Sequence, residues 1–330
     1  MLSSYISAKD RVLVIASVGM RNVGDEAILE GLVHQLSSRD RIVAVSGDPR
    51  DTREMHHLQA VSPWAAPFAL LHCNVLIISG GLFSNHMGPM QRLTPRFLQL
   101  AILLGVRCIF YGVGIYSSTP PKIRKQLRRV IPRLKLIAVR DAICVDVVHQ
   151  MGGVAQLVPD LANSITPSKP ERAVEILQHE GIELKRPLVG MALTATGMKS
   201  PESLLKAFAS VINDMPNTQF LFIPMCRHPR LESPNDLLLA EELARRVPAL
   251  NVLRGWYAPE EILAIFGLLD VAICMRYHGL LFSLRNERPI VAIPYSEKSN
   301  DIVYRHGLMT ANMDAESIKA RLVELERIGQ

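Results

Sequence analysis

Asn74-Val-Leu-Ile-Ile-Ser-Gly-Gly81 decides the fold, because four consecutive apolar residues run straight into a serine and two glycines. A strand apolar on both faces needs helices above and below it, which marks a parallel sheet rather than an antiparallel one with a wetted side. Runs of the same kind stand upstream at 11–17 (RVLVIAS) and 41–47 (RIVAVSG), and downstream at 106–114 (VRCIFYGVG) and 134–140 (LKLIAVR). Segments of helical length separate them, around 26–38, 91–104 and 121–132. After the polar, proline-bearing stretch from Asn163 to Pro170 the pattern restarts at 187–193, 219–225, 251–255, 270–275 and 289–295. Its helices fall at about 201–215, 236–247, 259–267 and 279–285, and a charged closing helix at 314–328. The fold class is therefore α/β, with two Rossmann-like doubly wound lobes at 1–165 and 166–330. Ligands of such sheets sit beyond the carboxyl ends of the strands, so the chemistry is expected in the loops after each strand, at a cleft between the lobes.

Composition narrows the function. The 330 residues hold 37 Lys and Arg against 31 Asp and Glu, a net charge of +6, with 48% hydrophobic and 21% charged residues. That balance excludes a disordered or fibrous chain. The five cysteines, at 73, 108, 144, 226 and 274, form no Cys-x-x-Cys pair, and their odd number suits a reducing cytoplasm better than a disulfide framework. No apolar run reaches the 18 or so residues of a membrane span, and Asp10 and Arg11 interrupt the N-terminus before a signal-type core forms, so a cytoplasmic location is expected. Surplus positive charge favours anionic ligands; with aromatics at 5% and no aromatic RNA-binding motif, phosphates or carboxylates fit better than nucleic acid.

Several strand ends carry chemistry. After the first strand come Gly19, Asn22 and Gly24-Asp25-Glu26, where Gly24 is expected in a tight turn and the two acids at a helix start. Acids there complement the helix dipole, so a plain helix cap is one reading of Asp25 and a functional carboxylate the other. The glycine spacing departs from Gly-x-Gly-x-x-Gly and does not support a dinucleotide site. Gly80-Gly81 and Gly112-Val113-Gly114 let a ligand approach backbone amides, or simply end their strands. Arg140 places a guanidinium at another strand end, to bind an anion or to make an ion pair. The sharpest group is Met275-Arg276-Tyr277-His278-Gly279-Leu280, joining a buried strand to a helix, with Lys298 20 residues after His278. Arginine, histidine and lysine beside a helix N-terminus suit a doubly anionic ligand, and histidine exchanges a proton near neutral pH. A core histidine is the plainer reading of His278. The other nine histidines, among them His56, His57, His228 and His306, are taken as surface or packing residues, because nothing spaces them as metal ligands; no metal or cofactor is expected.

Taken in order, NVGDEAIL (22–29), SGG (79–81), YGVGI (111–115), VRDA (139–142), PD (159–160), MRYHGLLFSL (275–284) and PIVAIPYSEK (289–298) resemble the polysaccharide pyruvyl transferase family. The resemblance implies a GT-B-like fold and transfer of pyruvate from phosphoenolpyruvate onto two hydroxyls of a sugar, as a ketal, with release of phosphate. It further implies that Arg140, His278 and Lys298 hold phosphoenolpyruvate, with Arg276 beside them, and that Asp25 faces the reaction. Asn22, Gly24, Gly80, Gly81, Gly112 and Gly114 are candidate contacts for the acceptor or a bound anion. His278 is assigned to phosphate binding or proton donation and Asp25 to the sugar hydroxyl, with the two roles exchangeable. Two other functions share these features: a GT-B glycosyltransferase using a nucleotide sugar, and a sugar-binding scaffold without turnover. Finally, residues 122–135 carry seven cations and no acid, so peripheral association with the inner face of a membrane, where a lipid-linked acceptor would sit, is weighed against a merely solvated basic helix.

Overall fold

The computed structural model describes all residues except 1, 37, 85, 86, 233, 234, 329 and 330. The chain forms two compact units: Met1–Met20 with Gly24–Ile165, and Arg21–Val23 with Thr166–Gln330.

The first unit runs β1 (Val12–Ile15), α1 (Val23–Val33), β2 (Ile42–Val45), α2 (Pro49–His56), β3 (Gln59–Val61), α3 (Ala66–Leu70) and β4 (Val75–Phe83). It continues through α4 (Pro89–Leu103), β5 (Arg107–Ile115), α5 (Pro121–Val130), β6 (Leu136–Val139), α6 (Ala142–Gln150) and β7 (Gln156–Leu157). The seven strands pair in parallel in the order β3-β2-β1-β4-β5-β6-β7. Strand side chains alternate between the faces. Leu76 and Ile78 of β4 and Cys108 and Phe110 of β5 share one core with the buried sides of α3, α4, α5 and α6. Val75, Ile77 and Ile109 point the other way and pack with Ile28, Leu29 and Leu32 of α1. Burial on both faces is why these strands read as unbroken apolar runs. The strand order reverses between β1 and β4, and this switch point sets where the loops diverge.

The second unit runs α7 (Pro170–His179), β8 (Leu188–Ala192), α8 (Glu202–Asp214), β9 (Gln219–Phe222), α9 (Asp236–Arg246) and β10 (Asn251–Val252). Then follow α10 (Pro259–Phe266), β11 (Val271–Cys274), α11 (Tyr277–Arg285), β12 (Ile290–Ala292), α12 (Glu297–His306) and α13 (Ala315–Ile328). Its five parallel strands pair in the order β10-β9-β8-β11-β12, with the switch point between β8 and β11. Residues Arg21–Val23 complete this unit: Asn22 bridges antiparallel to Cys226, the Val23 N–H donates to the Met225 carbonyl at 2.9 Å, and the Arg227 N–H donates to the Arg21 carbonyl at 2.8 Å. Two short strands, β3 and β7, and the helices α2, α3, α6, α7 and α12 add to the elements expected from the sequence.

Candidate active site

In the second unit the site grows from the carboxyl ends of β8 and β11. The Met275 and Arg276 N–H groups donate to the Ala192 carbonyl, at 3.0 and 3.2 Å, which fixes the path of the chain from β11 into α11. Gly279 permits that path: a Cβ there would lie 2.7 Å from Cβ of Ala192 and 3.3 Å from Sγ of Cys274, so only glycine lets the first turn of α11 sit this close to the two strands. Arg276 is the N-cap of α11 and His278 lies in its first turn. Lys298 lies in the first turn of α12, which follows β12, the strand beside β11. Two helix N-termini and the side chains of Arg276, His278 and Lys298 thus belong to neighbouring loops of one sheet, an arrangement suited to a compact anion.

The Arg276 guanidinium is held by Asp236, the first residue of α9: its Nε donates to Oδ2 at 2.9 Å, and its Nη2 donates to Oδ1. Burial alone would lower the arginine pKa, but Asp236 and Tyr295 raise it, so the charge is kept. Asp236 also accepts the Cys226 N–H at 3.0 Å. Since Cys226 bridges to Asn22, one series of contacts within the second unit joins the Arg-x-His motif to Asn22. The His278 ring stands edge-on to Tyr277 at 5.1 Å between centroids and tilted to Phe282 at 6.5 Å, and is half-buried, so aromatic neighbours set its orientation.

In the first unit Asp25 is half-buried in the first turn of α1, which leaves the switch point between β1 and β4. The tight turn expected at Gly24 lies upstream instead. Gly24 is already helical, and the chain reverses at Ser17, Gly19 and Arg21, whose φ angles of 58°, 73° and 52° are left-handed. Glu26 secures this turn by accepting the Gly19 N–H at 2.8 Å. Its other oxygen lies 2.9 Å from Nε2 of His56, whose Nδ1 lies 2.9 Å from Glu30, and Arg39 pairs with Glu30 in turn. His56 is 1% exposed. Burial alone would lower its pKa, but Glu26 and Glu30 raise it to about 9, so the ring is an imidazolium at neutral pH. His56, expected from the sequence as a packing or surface residue, is the buried charge that ties α2 to α1, behind the turn that carries Asp25.

Of the two readings of Arg140, the structure shows an ion pair, buried rather than at the surface. It is 3% exposed, and its guanidinium donates to Asp160 at 2.9 Å, Asp141 at 3.3 Å and the Tyr116 hydroxyl at 2.9 Å. Two carboxylates and one hydroxyl hold this guanidinium in place. The same contacts explain why four motifs of the first unit stand where they do. Gly81 leaves room for the Arg140 guanidinium, since a Cβ there would lie 3.0 Å from Nη2; Gly114 leaves room for the Tyr116 ring; and Gly112 for the Leu161 side chain just after Asp160. These glycines serve packing around Arg140, which their role as candidate anion contacts did not foresee. Gly80, with φ 82°, supplies the bend that ends the regular part of β4. Arg140 and Asp25 therefore belong to the first unit, and Arg276, His278 and Lys298 to the second. Among the described residues no group of three or more His, Cys, Asp or Glu side chains is placed to hold a metal ion.

The family model of the polysaccharide pyruvyl transferases matches residues 22–297. The chain belongs to that family. As a polysaccharide pyruvyl transferase family member it is a transferase of polysaccharide modification. None of the curated proteins matches it in sequence. Solved structures share its fold at low identity. Anabaena HepE, in complex with UDP and glucose, is 13% identical over 94% of this chain and 88% of its own, with a TM-score of 0.61. The Neisseria meningitidis UDP-GlcNAc 2-epimerase bound to UDP-GlcNAc is 8% identical over 96% and 91%, at 0.61. The E. coli ADP-heptose LPS heptosyltransferase II is 11% identical over 96% and 98%, at 0.54. The family thus uses, in this chain, the two-lobed Rossmann-like architecture of GT-B glycosyltransferases and epimerases.

Proposed function

We propose that this transferase moves pyruvate from phosphoenolpyruvate to two hydroxyls of a sugar, in a cell-surface or extracellular polysaccharide or its lipid-linked precursor. The observation that carries the reading is the placement of Arg276, His278 and Lys298 on adjoining loops of one sheet, in a chain of this family. The donor carries a carboxylate and a phosphate, and cations at two helix N-termini match that double charge. The first half-reaction adds a proton to C3 of the enol and a sugar oxygen to C2. In the second, the C2–O bond to phosphate breaks, the other sugar hydroxyl bonds to C2, and phosphate leaves with the second hydroxyl proton. His278 and Asp25 carry this proton traffic, one as acid and one as base, in either assignment. Arg140, buried and paired, shapes the first-unit loops around Gly81 and Tyr116.

Phosphate release from phosphoenolpyruvate, with mass spectrometry of candidate acceptor glycans for the added ketal, tests the reaction. Lys298→Ala tests the site: loss of one charge-assisted contact costs about 1.5–3 kcal/mol, so phosphoenolpyruvate affinity should fall about tenfold or more. Unchanged affinity in a folded variant removes Lys298 from the donor site. A second reading, glycosyl transfer from a nucleotide sugar, is favoured by the fold shared with structures that hold UDP. Release of nucleotide from a UDP-sugar, with none of phosphate from phosphoenolpyruvate, would select it.

A further inference from the structure

Charge is distributed unevenly along this chain. Residues 55–140 contain eleven Lys or Arg and no Asp or Glu, leaving 26 basic against 31 acidic residues elsewhere, so a segment of charge +11 is joined to a remainder of −5. That segment builds α3, α4 and α5, whose buried sides share one core on a single face of the seven-stranded sheet, with α4 packed against α5. Their outward sides therefore look into solvent from the same layer. On α5, Ile123, Leu127 and Val130 turn inward, while Lys122, Lys125, Arg128 and Arg129 are exposed. The inward spacing of four and three residues is that of an amphipathic helix, and every charge on its other face is a cation.

The neighbouring helices expose apolar side chains of a size rarely left in water. Trp64, at the turn into α3, is 86% exposed and Phe68 71%; Leu71 is 62% exposed just after the helix. These lie four and three residues apart, along one side of a helical turn. On α4, Leu93 and Leu103 are exposed at 44% and 79%, interspersed with exposed Arg92 and Arg96. Among the described residues no helix is long and apolar enough to cross a membrane.

We infer that the outer face of α3, α4 and α5 docks on the surface of an anionic phospholipid bilayer. Tryptophan, phenylalanine and leucine beside lysine and arginine make the chemistry of interfacial binding: the apolar side chains enter the headgroup boundary and the cations meet lipid phosphates. A second copy of the chain fits poorly, because a self-complementary contact would set this face, free of acids, against its own cations. Among the described residues the largely exposed aromatics of this face are Trp64 and Phe68, few platforms for nucleic acid, and the exposed leucines offer bases nothing to stack on. The inference extends the basic stretch at 122–135 seen in the sequence to three of the four helices on that side of the sheet, and it stands whichever donor the enzyme uses.

Sedimentation of the full-length protein with vesicles of equimolar phosphatidylglycerol and phosphatidylcholine, against vesicles of phosphatidylcholine alone, tests it. A Trp256→Phe background leaves Trp64 as the reporter. Expected are binding to the anionic vesicles, a blue shift of Trp64 emission on binding, and release as salt rises beyond about 0.1 M, where the Debye length falls below about 10 Å. Each cation at such a surface contributes about fivefold, so replacing Lys125, Arg128 and Arg129 by Gln should lower partitioning on the order of a hundredfold. Phe68→Ser with Leu103→Ser should also weaken binding, and both side chains are exposed, so folding is spared. Binding that persists in the apolar variant with no shift of Trp64 emission would mean a polyanion surface and overturn the inference. So would equal sedimentation with both vesicles, none with either, or self-association through this face without lipid.

Discussion

Raising the pH should loosen the first unit through one buried side chain. His56 bridges Glu26 and Glu30 of α1 from the last position of α2 and is 1% exposed. Its folded pKa of about 9 exceeds the ordinary 6.5, so the folded protein keeps a proton that the unfolded chain releases. The resulting stabilisation is whole below pH 6.5 and is lost as the pH climbs through 9. A displacement of this size corresponds to roughly 3 kcal/mol. Glu30 reports the same interaction from its acidic side: burial would raise its pKa, yet His56 and Arg39 bring it down to about 2, so that part is present above about 4.5 and fades as the pH falls toward 2. The two shifts describe one network and do not add. For a unit of this size each kcal/mol moves Tm by about 2–4 °C, so His56→Gln should lower the Tm of the first unit by about 6–12 °C at pH 6. That gap should close steadily up to pH 9.5. Scanning calorimetry of wild type and His56→Gln at constant ionic strength measures both, with His57→Gln, an exposed neighbour, as control. Parallel pH profiles for wild type and His56→Gln would show that the ring is not charged in the folded state, and the reasoning would fail.

Asp25→Asn separates a catalytic carboxylate from a helix cap: Asn caps nearly as well but takes no proton, so Tm should hold while turnover drops, and near-normal turnover would return Asp25 to a structural role. Asp236→Ala strands the Arg276 charge and should destabilise the second unit by about 3–5 kcal/mol in urea unfolding. The double variant with Arg276→Met should cost clearly less than the two single changes together; strict additivity would show that the pair is not coupled. Gly279→Ala should cost about 1–3 kcal/mol by forcing α11 off β8, and Ala192→Gly should restore much of it. If Ala192→Gly restores nothing, the close approach at Ala192 is not what Gly279 serves.

The long central strands were legible because burial on both faces leaves a run that no helix pattern imitates, as at Val75–Ile78. The edge strands β3 and β7 were not: at three and two residues, with Gln59, Gln156 and Leu157 exposed, they carry no apolar run. Helix α3 escaped because its outward side is as apolar as its inward one, so no period marks it. At the site, residues that interrupt an apolar pattern just after a strand could be found by position, as Arg276 and His278 were. Asp236 could not: an acid at a helix start is what the dipole favours in any protein, and only the fold brings it to an arginine 40 residues away. His56 was obscured in the same way, since its carboxylate partners lie 26 and 30 residues back on another helix.

The three residues Arg21–Val23 change what counts as a separable piece of this protein. Because they belong to the second unit while the residues on either side belong to the first, the backbone passes between the units at 20–21, at 23–24 and again at 165–166. A gene fragment beginning at Thr166 would therefore encode a second unit with a gap beside Met225–Arg227, leaving the Met225 carbonyl and the Arg227 amide without their partners. On the ribosome the missing ribbon is made long before its place, which exists only after residue 225 has emerged. The second unit cannot be completed from its own stretch of message; it draws on a segment translated some 200 residues earlier.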